Sequence, residues 1–159
     1  MEHLTIKLDF DFFAYDELPE DVKVLVDKAK EATGNSYSPY SKFSVGAALR
    51  LEDGTMVKGA NQENAAFSVT MCAERSAIFN AQSNCPEQPI AQIAIAARNE
   101  RGFVYEPVSP CGVCRQALLE MEQRYGRNVA IYLYGTKGVY AIDSAKALLP
   151  LSFVEESMR

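Results

Sequence analysis

Cys72-Ala73-Glu74 and Pro110-Cys111-Gly112-Val113-Cys114 are the residues in this chain best suited to chemistry. A Cys-x-x-Cys pair at the start of a helix brings two sulfurs to one point, and the unpaired N–H groups there favour thiolate over thiol. Alone, such a pair could be a redox dithiol, half of a structural zinc site, or two small buried residues. Pro110 and a further cysteine, Cys72, near the start of another predicted helix narrow the choice. Three thiolates from two helix N-termini make a zinc site with one corner left over.

Cys85 is a poor candidate for that corner. It follows Cys72 by 13 residues, and a helix between them would separate the two by ~20 Å at its usual rise. Two sulfurs on one zinc cannot stand more than ~4.6 Å apart. Cys85 is therefore expected to be a free thiol. The one histidine, His3, lies near the amino terminus and is not expected to bind metal. Water is left for the fourth position.

Glu74 gives such a site its catalytic reading. A lone Glu near a helix start usually just complements the helix dipole. Two residues after a ligand, beside an open coordination position, it becomes a general acid/base candidate. Three thiolates leave a zinc cluster with net negative charge, which opposes ionisation of a bound water. Helix dipoles and a nearby cation must compensate, and Arg75 and Arg115-Gln116 are the candidate donors to the sulfurs.

These residues need elements to hold them. The pattern predicts a helix from Pro19, with Val22, Leu25, Val26 and Ala29 on one face and Gly34 as its stop. Strands are expected at Phe43–Leu51 and Thr55–Gly59, joined through Asp53-Gly54. A helix over 71–83, a buried strand at Ile90–Ala97 and a helix over 112–125 ending at Gly126 follow. Strands at Val129–Tyr134 and Val139–Ile142 and a short helix at Ala145–Leu149 complete an αββαβαββα order, a sheet with helices on its faces. Ahead of it, Leu4, Ile6, Leu8, Phe10 and Phe12 alternate with polar residues, the period of a half-buried strand over 4–12.

The bulk properties exclude several classes. The 159 residues suit one domain, and 48% hydrophobic with 23% charged residues is a globular composition. A net charge of −5 leaves no global basic footprint for nucleic acid. No 18-residue apolar run suggests a membrane span. MEHLTIKLDFDFF mixes charge with apolar residues, so no secretory signal is expected, and a cytoplasmic location with reduced cysteines is.

CAER followed by PCGVCRQ resembles the zinc-dependent cytidine deaminases of the small homotetrameric type. YSPYSKFSVGAAL and GANQENAAF also match, so the likeness runs from about Tyr37 to Phe153. It implies an α/β fold, a three-layer α-β-α arrangement around a mixed central sheet of about five strands, with the N-terminal strand or arm as an extra. It divides a single catalytic domain, 1–159, into an extension (1–17), a core (18–153) and a tail (154–159). The implied cofactor is one Zn²⁺ per subunit on Cys72, Cys111 and Cys114. The implied reaction converts cytidine or 2′-deoxycytidine and water to the uridine product and ammonia, in pyrimidine salvage, with Glu74 as proton shuttle. Deoxycytidylate deaminases typically have His as first ligand, so Cys72 points to the nucleoside enzymes.

By the same resemblance, the Ala73 N–H meets the base O2 and Phe43 packs on the base. Asn61 and Glu63 hold the ribose 3′-hydroxyl, Ala65 offers backbone to the 5′ side, and Phe153 completes a neighbour's pocket in a homotetramer. Phe67 stands where the family commonly has Tyr. The arm is expected to pair with a sheet edge or a neighbouring subunit. Three other readings compete: a deaminase of a nucleoside antibiotic, a nucleic-acid editor, and a structural zinc module for protein binding. Asn61 and Glu63 argue against the first. Acidic balance without aromatic-basic interleaving argues against the second, and Glu74 beside an open corner against the third.

Overall fold

The structure is a computed structural model describing residues 1–159. Its centre is one mixed sheet. The strands are β1 (Asp11–Phe13), β2 (Ser44–Leu51), β3 (Met56–Ala60), β4 (Ile90–Asn99), β5 (Gly102–Phe103), β6 (Ala130–Gly135) and β7 (Gly138–Ile142). They run in the order β1-β7-β6-β4-β2-β3, with β5 folded back on β4. Only β4 and β6 are parallel. A parallel pair needs a crossover, and the helix α3 (Gly112–Tyr125) supplies it. The expected five strands are thus the long ones, and β1 and β5 are short additions at the periphery.

Helix α1 (Glu20–Ala32) covers one face, burying Val22, Leu25, Val26 and Ala29 as their spacing requires. Its first turn holds Glu20 and Asp21 and its last turn Lys30, each matched to the helix dipole. Helix α2 (Ala73–Asn84) packs with α3 on the other face. Along β4, Ile93 and Ile95 point to the α2/α3 side, and Ala94 and Ala96 to the α1 side. Ile93, Ile95, Leu118, Leu119, Ile131 and Leu133 are essentially fully buried there. Each is worth roughly 1.5–3 kcal/mol in area removed from water, so this layer fixes the seats of both helices.

The amino-terminal expectation needs correction. Of the alternating stretch 4–12, only the end at Asp11–Phe13 forms a strand, paired with Val139–Ala141 of β7. In this register Phe10 falls opposite Ile142, the last residue of β7, and Ser144 then caps a 3₁₀ turn over Ala145–Leu148, so residues 4–9 lie beyond the strand's end. That turn also replaces the short α-helix expected at Ala145–Leu149. Pro19 is the cap of α1 rather than its first residue, and Gly34 falls inside a 3₁₀ turn after the helix.

Candidate metal centre and active site

Both cysteine motifs sit at helix starts. Cys72 is the residue that caps α2 and Cys111 the one that caps α3, with Cys114 in the first turn of α3. Neither sulfur makes a capping bond to the backbone N–H groups of its own helix, so both remain available to a metal. A reciprocal backbone pair between Gln62 and Met71, at 2.9 Å each way, pins the approach to Cys72. On the other side Arg115 Nε donates to the Pro110 carbonyl at 2.8 Å.

The sulfurs converge. Cys72 Sγ and Cys111 Sγ are 3.8 Å apart, and Cys111 Sγ and Cys114 Sγ 3.5 Å. All three lie within 4.8 Å of one another, and no other Cys, His, Asp or Glu joins the group. Four ligands at about 2.3 Å around zinc put neighbouring sulfurs roughly 3.8 Å apart. The donor set and its spacing fit a zinc ion with one position unclaimed by side chains. Cys85 lies past the far end of α2, and His3 in the exposed arm.

Electrostatics prepare the cluster for a cation. The neighbouring Cys114 thiol pulls the Cys72 pKa down to about 5, with further help from Arg75 and Cys111. Cys114 is pushed up as the proton-holding partner, by the Cys72 sulfur beside it and by burial. The guanidinium of Arg75 donates through Nη2 to Cys72 Sγ at 3.7 Å. Its Nε is buried with no partner.

Arg115 and Gln116 do not take the expected role beside the sulfurs. Arg115 Nη1 donates to the Leu148 carbonyl at 3.0 Å. Gln116 Nε2 donates to the Phe153 carbonyl, also at 3.0 Å. Both tie α3 to the carboxy-terminal segment.

A cleft of about 200 Å³ opens beside the cluster. Asn61, Glu63, Cys72, Ala73, Glu74 and Cys111 line it. Drug-sized sites span ~300–1,000 Å³, so this one suits a single ring with the rest of a ligand at its mouth. Glu74 is buried in the first turn of α2. Burial, and then the charge on Cys72, push its carboxyl up to about 6. The Ala73 N–H is among the first-turn donors of α2 that have no helical partner.

Asn61 and Glu63 are held firmly at the end of β3. Asn61 Oδ1 accepts from Ser36 Oγ at 2.5 Å and from the Val45 N–H at 2.8 Å. Its Nδ2 donates to the Phe43 carbonyl at 2.9 Å, which leaves one N–H free. Glu63 Oε2 accepts from the backbone N–H groups of Tyr40 and Ser41 at 2.8 and 3.2 Å, and Oε1 from the Ser41 hydroxyl. The Ser41 hydroxyl, with those backbone donors, holds the Glu63 carboxyl below the usual range.

Phe43, Ala65 and Phe153 lie outside the cleft lining of a single chain. Phe43 is half-buried, while Ala65 and Phe153 are exposed. Phe153 rides on the segment tethered by Gln116. Residue patterns alone did not single out Thr70, Met71, Val45, Ile95, Val108 or Ser109, which also line the cleft. Val108 and Ser109 had a signal, since the residue before a proline is extended and the segment leads directly into Cys111.

The geometry has counterparts. A sequence model of the cytidine and deoxycytidylate deaminase zinc-binding region matches residues 19–129. A cytidine deaminase of Sporosarcina psychrophila is 41% identical over 138 residues, spanning 87% of this chain and 95% of that protein. One from Halalkalibacterium halodurans is 39% identical over 87% of this chain and 98% of its own. The crystal structure of cytidine deaminase from Burkholderia pseudomallei superposes with a TM-score of 0.70 at 36% identity, over 82% of this chain and 97% of that one. The matched residues take in both cysteine motifs and most of the sheet, and the chain belongs to the cytidine and deoxycytidylate deaminase zinc-binding family.

Proposed function

We propose that this protein hydrolyses the exocyclic amine of cytidine and 2′-deoxycytidine, releasing uridine or 2′-deoxyuridine and ammonia, in pyrimidine salvage. One observation carries the reading: Glu74, buried, lines the same cleft as two of three clustered thiols. A zinc ion on Cys72, Cys111 and Cys114 would supply the Lewis acidity that makes water nucleophilic near neutral pH. Glu74 takes a proton from the attacking water and delivers it to N3 of the base as C4 is attacked. It then carries the second water proton to the amino group, which departs as ammonia. A carboxyl near neutral pKa suits both directions of transfer.

The other residues bind and orient. The Ala73 N–H meets O2 of the base, and the free N–H of Asn61 and the ionised Glu63 hold the 3′-hydroxyl as donor and acceptor. A shallow depression of about 400 Å³ continues from Glu63 and Thr70 to Tyr40 and Phe67, which suits the sugar's outer side. Phe43, Ala65 and Phe153 then act in an assembled enzyme. A groove lined by Phe79, Val113, Ala117 and Met121 on the outer face of α2 and α3 favours packing between subunits of a homotetramer. No helix is long and apolar enough to cross a membrane; a cytoplasmic location fits the proposed salvage role.

The test is an ultraviolet assay of the purified, zinc-quantified protein on cytidine and deoxycytidine, with single-stranded RNA and DNA as controls. Turnover of the free nucleosides, with none on the polymers, is expected. A zinc-loaded protein inert on both nucleosides would overturn the assignment.

A further inference from the structure

The arm that precedes α1 lies outside the residues matched by the family, which begin at 19. Two relatives are covered over 95% and 98% of their lengths while 87% of this chain is used. Residues 1–10 form no helix or strand, yet their pattern is that of a strand. Leu4, Ile6 and Leu8 are 79%, 62% and 46% exposed. Phe10 and Phe12 continue the same row and rest on Tyr140, with ring centroids 5.2 and 5.6 Å away. Strand β1 ends the sheet, with only β7 beside it, so its outer edge is unpaired. Such an edge invites another strand.

We infer that this arm pairs with the same arm of a second copy, antiparallel about a two-fold axis at Leu8, joining the two sheets edge to edge. The occupant and register follow from charge. Directly opposite residues in an antiparallel pair share a face, so a symmetric register must keep the apolar row together. An axis at Lys7 sets Lys7 against itself, one at Asp9 sets Asp9 against itself, and one at Phe10 sets Asp9 against Asp11; like charges opposite one another are destabilising. An axis at Ile6 sets Phe10 against Glu2 and leaves Phe12 with no apolar residue opposite. An axis at Leu8 sets Lys7 against Asp9 of the second copy, twice by symmetry. It also sets Leu4 against Phe12 and Ile6 against Phe10. The second copy's Leu4 then lies along the open edge of β1. A register centred between residues would put the two apolar rows on opposite faces. The inference is independent of the deamination reading, since no arm residue lines the cleft.

Cross-linking of the full-length, zinc-loaded protein tests it. Opposite Cα atoms in a strand pair are about 4.5–5.5 Å apart, within the reach of a disulfide. Leu8→Cys is therefore expected to give covalent dimers on mild oxidation, against the background of the parent chain. Leu4→Cys, facing Phe12 rather than itself, should not. In the Leu8→Cys chain, either Lys7→Asp or Asp9→Lys should lower dimer yield by about tenfold, because two attractions become two repulsions. Co-expressing those two charge variants should restore mixed dimers, since their altered charges are complementary. No cross-link at Leu8, equal cross-linking at Leu4 and Leu8, or indifference to both charge changes would each overturn the inference.

Discussion

Gly59 on β3 lies directly beneath Ala73, the first residue of α2, so closely that a Cβ there would overlap the Ala73 carbonyl oxygen. The same Cβ would stand 2.5 Å from the backbone nitrogen of Ala77. Helix α2 thus seats on bare backbone, and that seat sets the height of Glu74 above the sheet. Gly59→Ala would have to displace the α2 backbone and the rigid Ala77 Cβ, so it is expected to cost about 1–3 kcal/mol of stability. It should also lift Glu74 from its position. Thermal unfolding and turnover, the latter measured well below the transition, should both fall. Unchanged values would mean that the seat is more compliant than its contacts imply.

Glu74→Gln keeps the shape of the side chain and removes the proton carrier. It is expected to retain zinc and fold while turnover falls by ~10²–10⁴-fold, the usual range for a general acid/base. Metal quantification and kcat on cytidine decide it. Near-normal kcat would remove Glu74 from the chemistry.

Replacing Cys72, Cys111 or Cys114 with Ser breaks a three-sulfur set that no other Cys, His, Asp or Glu joins. Each variant should bind zinc substoichiometrically after dialysis and lose activity. Cys85→Ser should do neither, being packed against the apolar layer at the far end of α2. A chelator strong enough to strip the parent protein should abolish turnover and lower its melting temperature. Full zinc occupancy in any of the three variants would show that the ligand set is wrong.

Much of the site was legible because its chemistry is local. Cys72, Glu74, Cys111 and Cys114 lie within one turn of two helix starts, where motif and structure coincide. Arg75 follows Cys72 by three residues, hence on the same face of α2, and it reaches the sulfur. Gln116 is two residues after Cys114, roughly 200° around the helix, so it turns outward to Phe153. The arm shows the other limit. Alternation announces a willing strand, but β7 pairs only with Asp11–Phe13 and ends opposite residue 10. Glu122 was wholly silent in the sequence. It is buried on α3 and accepts from the backbone of Val129 and Ala145, each at 2.8 Å. Those partners come together only in the folded chain.

In the 3₁₀ turn between the arm and α1, the Tyr15 hydroxyl donates to Asp27 Oδ2 at 2.7 Å. Burial, with the Asp27 bond and charge, pushes the Tyr15 pKa up to about 12 from 10.0. The folded state therefore holds this proton more tightly than the unfolded chain does. Stability from the pair is fully present below about pH 10 and declines as pH rises from there through about 12, because the unfolded state binds fewer protons in that window. At pH 8, Tyr15→Phe should be less stable than the parent by about 0.5–1 kcal/mol, the low end for an exposed hydrogen bond. The gap should narrow between pH 10 and 12, as the parent loses what the variant never had. Paired denaturant melts across this range test it, since every other titrating group is common to both proteins. A gap that stays constant with pH would sever the link between this hydroxyl and the fold.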